Sequence, residues 1–233
     1  MIVRMRFGKL GKVRWTSHRD VARMWERALR RAKLPVAYTG GFSPRARLSF
    51  GLALPTGCES VAEYLDVALE AELEPALVAE RVCPLLPRGI GVLGAGEPEP
   101  GSGSLQEEVT SCTWEISVVR STRSELDEVL SRLMGAASLP VLRERKGHVV
   151  SDDLRPSLLA LFAQHTHDEL GTTLVAELGT RPRGVRPAEL AELLDIELGL
   201  ARRTCQWIER GGSKFEPLDV LPAVPAVAVE RAS

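Results

Sequence analysis

Between residues 17 and 50 the chain gathers side chains suited to holding a polyanion: Arg19, Arg23, Arg27, Arg30, Arg31, Arg45 and Arg47. Guanidinium groups are permanently charged and fork-shaped, which matches them to phosphate oxygens. Tyr38 and Phe42 lie among them, and such rings can stack on unpaired bases. Gly40 and Gly41 precede Phe42; glycines there permit positive φ and close approach of the backbone to a ligand. His18 is the candidate for chemistry in the strict sense, as a general acid or base in RNA cleavage. It can equally contact phosphate or support the start of a helix.

These residues need elements to hold them. Ser17 is suited to cap a helix, with Asp20 three residues on in an acidic variant of the capping-box spacing. Val21, Met24, Trp25, Ala28, Leu29 and Ala32 then recur at helical spacing, so residues 17–33 are expected to form a helix with one apolar stripe. Its opposite face carries Arg19, Arg23, Arg27, Arg30 and Arg31, interrupted only by Glu26. Like charges at i, i+4 repel, and a helix built for stability alone would mix signs. The uniform face therefore points to a polyanionic partner. Pro35 ends the helix, and a strand is expected over Arg45–Leu54, with Arg45 and Arg47 on one face. For Phe42 two readings stand side by side, a stacking platform and a core residue of a tight turn.

The 233 residues are 44% hydrophobic and 26% charged, an ordinary balance for a soluble globular protein. No apolar run approaches a membrane span and no leader pattern opens the chain, so a cytoplasmic protein without a membrane partner is expected. The net charge of −1 conceals an asymmetry. Residues 1–50 hold 13 lysines and arginines against two acids, leaving 17 bases and 29 acids for the rest. Screening confines such fields to roughly 10 Å, so the basic part acts locally, as a footprint for nucleic acid. Cys58, Cys83, Cys112 and Cys205 never pair at metal-ligand spacing and read as small buried residues in a reducing compartment. No phosphate-binding or dinucleotide-binding glycine motif occurs, and no cofactor is expected.

In chain order, strands are expected over 1–7, 45–54, 62–69 and 89–93, with helices over 17–33 and from Pro75. Residues 97–107, rich in Pro, Gly, Ser and acid, read as a linker. The same order then repeats: a strand at 109–119, a helix at 124–134, a hairpin at 139–150, strands at 156–163 and 172–178, a helix at 187–195 and a strand at 201–209. The expected fold is α+β, two tandem ferredoxin-like (βαββαβ) domains over 1–96 and 108–210. The second carries an inserted β-hairpin, and 211–233 is a flexible tail. Arg143, Arg145 and Lys146, with His148, Asp152, Asp153 and Arg155, form a second charged cluster at that hairpin. Arg155 and Arg186 each precede a proline and read as turn anchors. His165 and His167, beside Asp168 and Glu169, supply too few ligands from one turn for a metal site.

The combined motifs resemble a bacterial family. Ser17-His18-Arg19-Asp20, Glu26-Arg27-Ala28-Leu29-Arg30-Arg31-Ala32-Lys33-Leu34-Pro35, Tyr38 to Phe50, Leu54-Pro55-Thr56-Gly57 and Glu63-Tyr64-Leu65-Asp66 are similar to the DUF2344, or radical SAM-linked, family of unknown function. Residues 141–147, 153–156 and 183–187 continue the likeness. Arg19 and Arg45-Ala46-Arg47 depart from its commoner residues but keep or raise positive charge. The resemblance implies work beside a radical SAM protein encoded nearby, in RNA or ribosome biology. A weaker, fold-level analogy is to CRISPR-associated RNA-processing endoribonucleases. A radical SAM enzyme itself needs three neighbouring thiolates, a spacing absent here. Three functions follow as expectations: a non-catalytic accessory that binds the RNA phosphate backbone, with no DNA partner; a metal-independent endoribonuclease using His18; or a protein–protein adaptor.

Overall fold

Alternation along β1 (Ile2–Lys9) sends Val3, Met5 and Phe7 into the first core, while Arg4 and Arg6 point to the other face of the sheet. The computed structural model describes residues 1–119, 123–145, 147–165 and 172–218. The chain divides into two units, Met1–Val109 together with residues from Gln206 on, and Thr110–Cys205. The fold is mixed α and β, with mostly antiparallel sheet and few helices.

In the first unit β1 leads through a 3-10 turn, Gly11–Trp15, into α1 (His18–Arg31), β2 (Leu48–Phe50) and β3 (Glu59–Ala68). There follow α2 (Pro75–Val82), β4 (Ile90–Gly96) and a single turn, α3 (Leu105–Glu108). β3 and β4 flank β1, both antiparallel to it, and β2 pairs with β3 through Leu48↔Val67 and Phe50↔Leu65. The core lies between this sheet and the two longer helices. Val21, Trp25, Ala28 and Leu29 of α1 meet Val78, Ala79 and Val82 of α2 and the inward residues of β1 and β3. Pro75 opens α2, where a missing N–H costs nothing.

The second unit runs β5 (Val109–Val118), α4 (Arg123–Gly135), β6 (Pro140–Arg145), β7 (His148–Asp153), β8 (Leu158–His165), β9 (Thr172–Gly179), α5 (Pro187–Leu194) and β10 (Leu198–Arg210). β5 lies between β10 and β9, and β8 pairs with the far edge of β9. β6 and β7 form a separate two-stranded ribbon. Arg155 donates to the carbonyls of Met134, Ala136 and Leu158, so it closes the open end of α4 as a turn anchor. At Arg186 the turn is held by the backbone N–H, donated to Glu189, and not by the guanidinium fork expected of it.

Three stretches differ from the sequence expectation. The strand expected over 45–54 is only three residues long, paired with β3 through Leu48↔Val67, Ser49↔Asp66 and Phe50↔Leu65. Within the stretch read as a linker, α3 forms and Leu105 is buried with Ala62 and Tyr64. Residues 211–218, read as the start of a flexible tail, make β11 (Ser213–Phe215), antiparallel to the end of β10. Leu218 then covers Gly96, where an added Cβ would lie 2.9 Å from its methyl carbon. Pro, Gly and Ser report weak local preference, which distant partners override. Of the cysteines Cys112 is buried, while Cys58, Cys83 and Cys205 are half-buried rather than buried. Among the described residues, no helix is long and apolar enough to cross a membrane.

Trp25 is wholly buried, its ring edge-on to Phe7 at 5.0 Å, and its indole N–H has no partner. Trp25→Ala should therefore lower the stability of the first unit by about 3–5 kcal/mol. Trp25→Phe, which also removes the unmet donor, should cost under about 2 kcal/mol. Urea midpoints of the two variants measure the difference, and equal losses would contradict this packing.

Candidate nucleic-acid interface

Burial of its inner face fixes what α1 shows outside. With Val21, Trp25, Ala28 and Leu29 buried, Arg19, Arg23, Arg27, Arg30 and Arg31 are all exposed. At a rise of about 1.5 Å per residue, Arg19, Arg23, Arg27 and Arg30 form a row about 16 Å long. Arg23 reaches Asp20 at 3.4 Å, and Arg27 Nε donates to the Arg23 carbonyl. Among the described residues, Arg19, Arg27, Arg30, Arg31, Lys33, Arg45 and Arg47 pair with no acid. Several cations elsewhere do: Arg4 with Asp66, Arg6 with Glu216, Arg14 with Glu59, and Arg210 with Glu99 and Glu108. The unpaired charge is thus concentrated on α1 and the loop after it.

Both ends of α1 are built by local chemistry. At the start, Ser17 Oγ accepts the Asp20 N–H and donates to the Asp20 carboxylate. That hydroxyl is the first cause holding the Asp20 carboxyl below its ordinary value, with Arg23 adding to it. At the end, Lys33 N–H donates to Arg30 and Leu34 N–H to Leu29, with Leu34 and Leu29 both buried. This is a Schellman closure, which commonly places glycine where Lys33 stands at φ 52°.

The loop from Tyr38 to Arg47 is a short ribbon. Thr39 N–H donates to the Arg45 carbonyl and Arg45 N–H to Thr39 Oγ1, while Tyr38 bridges Ala46. Its base is tied to β3 through Ala37 N–H to Ala68 and Ala68 N–H to Arg47. Phe42 at the tip is completely exposed, at 110%, which overturns the reading of it as a core residue. Of the two glycines before it, Gly41 needs its freedom, at φ 108°, and open space surrounds both. Arg45 and Arg47 are exposed, and Tyr38 is nearly half so.

His18 is exposed at the first position of α1, its ring edge-on to Phe50 at 5.2 Å. Lys9 and Glu63 line the same recess, which holds only about 10 Å³. Lys9 Nζ is already donated to the carbonyls of Thr16 and Arg14. Burial lowers its pKa, with Glu63 and Cys58 opposing. This geometry ties the chain before α1 to β1, while His18 keeps an exposed side toward solvent.

In the second unit Arg143 shares Asp152 with Arg183, the latter at 2.9 Å, and Arg183 also holds Glu189. Arg143 is therefore a partner in an ion network rather than a free cation. The Arg145 side chain and Lys146 lie outside the described residues, as do the His165 side chain, His167, Asp168 and Glu169. In the first unit an exposed aromatic escaped the sequence reading. Trp15 is 64% exposed, with the Arg14 guanidinium 5.3 Å from its ring centre. Its position in a Lys/Arg loop directly before the capping Ser17 was the available signal.

The fold and this face together define a two-unit α and β protein with a basic, aromatic-tipped surface. The chain belongs to the family described as an uncharacterized protein conserved in bacteria (DUF2344), matched over residues 3–187. No curated protein matches it. Among solved structures, a chain of the "Crystal Structure of a Cbf5-Nop10-Gar1 Complex" is similar at 10% identity and TM-score 0.48. That match covers 88% of this chain and 48% of the other, so this chain spans about half its length.

Two stability measurements test the ends of α1. Lys33→Gly should raise stability by about 1 kcal/mol, by relieving a left-handed lysine. Ser17→Ala should cost about 1 kcal/mol at neutral pH through the lost cap. Asp20 titrates lower in the folded chain, so its contribution is complete above its unfolded value near 3.8 and fades as pH falls through the folded one. The Ser17→Ala deficit should accordingly shrink in urea titrations below pH 4; a deficit that stays constant with pH would contradict the Ser17–Asp20 link.

Proposed function

We propose that the protein is a non-catalytic RNA-binding accessory that works beside a radical SAM enzyme in RNA or ribosome modification. The observation that carries the RNA-binding part is the concentration of unpaired, exposed guanidinium groups on α1 and the following loop, next to the fully exposed Phe42. Arg19, Arg23, Arg27, Arg30, Arg45 and Arg47 would hold phosphates, while Phe42 or Tyr38 meets a base. In this role the protein fixes the register of the strand and the partner performs the radical step. The partner is inferred from the motif resemblance at residues 17–66 and 141–187. We read each unit as a ferredoxin-like βαββαβ domain; the antiparallel orders β4-β1-β3-β2 and β10-β5-β9-β8 support that reading.

Crosslinking in the native cell, followed by sequencing of the bound RNA, tests the proposal. One RNA class should be enriched and lost in the Arg23/Arg27/Arg30→Glu triple variant. A folded protein with no RNA enrichment, recovered with a radical SAM partner, would favour the adaptor instead. In vitro, six phosphate contacts predict a slope of log K against log salt near about −4 on single strands. Arg27→Ala should make that slope shallower by about 0.7. A salt-independent affinity would refute the phosphate contacts. RNA cleavage by the wild type that His18→Ala abolishes, with binding retained, would instead establish the nuclease reading.

A further inference from the structure

Trp15 lies three residues before α1, and the Phe42 loop follows its other end. The helix between them is 14 residues, about 20 Å long. In chain order its arginine row lies between two exposed aromatics, Trp15 before the helix and Phe42 after it. Trp15 is exposed for a structural reason. Its ring rests against Gly57, at φ 90°, where an added Cβ would come within 2.9 Å of the indole. The Gly57 N–H donates to the Arg14 carbonyl, so the glycine loop and the Trp15 loop hold each other. Arg14 is fixed between Glu59 at 3.8 Å and the indole, and Lys12 is exposed beside them. A tryptophan recruited only for packing would be buried, as Trp25 and Trp114 are. Here the ring is braced and its surface left to solvent.

We infer that Trp15 forms a second stacking subsite at the far end of the arginine row, and that the ligand is an unpaired RNA strand bridging Trp15 and Phe42. This rests on the RNA-binding reading above and narrows it. A strand that follows the roughly 20 Å length of α1 takes about six nucleotides at the roughly 3.4 Å rise of a fully stacked strand, and about four when the strand is extended. In a duplex the bases face inward, so neither aromatic could reach one. Each terminal base stacks on one ring, and the guanidinium groups between hold the phosphates. The selected ligand is thus a single-stranded loop or tail, not a helix.

The test is fluorescence anisotropy of the full-length protein with labelled single strands of two to ten nucleotides and a duplex of ten pairs. Affinity should rise steeply to about four to six nucleotides and then flatten. Trp15→Ala and Phe42→Ala should each weaken single-strand binding about tenfold or more, leave duplex binding unchanged, and be rescued by Trp15→Phe and Phe42→Tyr. An abasic nucleotide at one end should weaken the wild type and add nothing to the loss in one of the two Ala variants. Equal loss on single strand and duplex, or no rescue by Trp15→Phe, would mean that Trp15 only supports the fold and would overturn the subsite. Unchanged binding in Trp15→Ala, with binding still lost in Arg23/Arg27/Arg30→Glu, would overturn the subsite and leave RNA binding standing. No RNA affinity in the wild type would overturn both.

Discussion

The edge-on packing of Trp25 against Phe7 holds α1 to its sheet, and the outer face of that helix depends on it. Arginines along one side of a helix repel one another by a few tenths of a kcal/mol per pair. The inner stripe offsets that repulsion several times over, since a single fully buried large apolar side chain contributes roughly 2 kcal/mol. The helix can therefore carry a surface that would destabilise it in isolation. Lys33 shows the same bias on a smaller scale. A glycine would suit its left-handed position better, and the chain has a cation there instead.

The buried ions of the first unit are closely matched. Arg4, 2% exposed, binds both carboxylate oxygens of Asp66 and the Pro217 carbonyl, satisfying its fork on three sides. Arg6 holds Glu216 and the Val61 carbonyl. Glu59, also buried, accepts the Gly11 N–H and faces Arg14. Buried ions demand such geometry, because an unpaired one costs several kcal/mol. Against that background the excess of arginines over acids on α1 and the Phe42 loop is a difference between two parts of one unit, not a general property of the chain.

Features written in local spacing were legible in the sequence. The stripe of α1, its Ser17 cap, the alternation of β1 and the hairpin of β6 and β7 all follow from residues close together in the chain. The candidate face was legible for the same reason, since its arginines lie on one helix and one loop. Features set by distant residues were not. Nothing near Arg143 announces Arg183 as a sharer of Asp152, and nothing near Trp15 names Gly57 as its support. Phe42 stood open between core and surface because a hydrophobic residue after Gly-Gly suits either, and only the hydrogen-bonded ribbon beneath it decides.

The return of the chain to the first unit at Gln206 bears on the order in which the protein is made. Arg4 emerges from the ribosome early, but the Pro217 carbonyl that completes its shell is synthesised 213 residues later. At about 5–20 residues per second that is a wait of roughly ten to forty seconds. The second unit, contiguous from Thr110 to Cys205, has all its residues available before then. Birth order along the chain is thus reversed in folding: the unit begun first is finished last, and until then one nitrogen of a guanidinium destined for burial must be solvated by water.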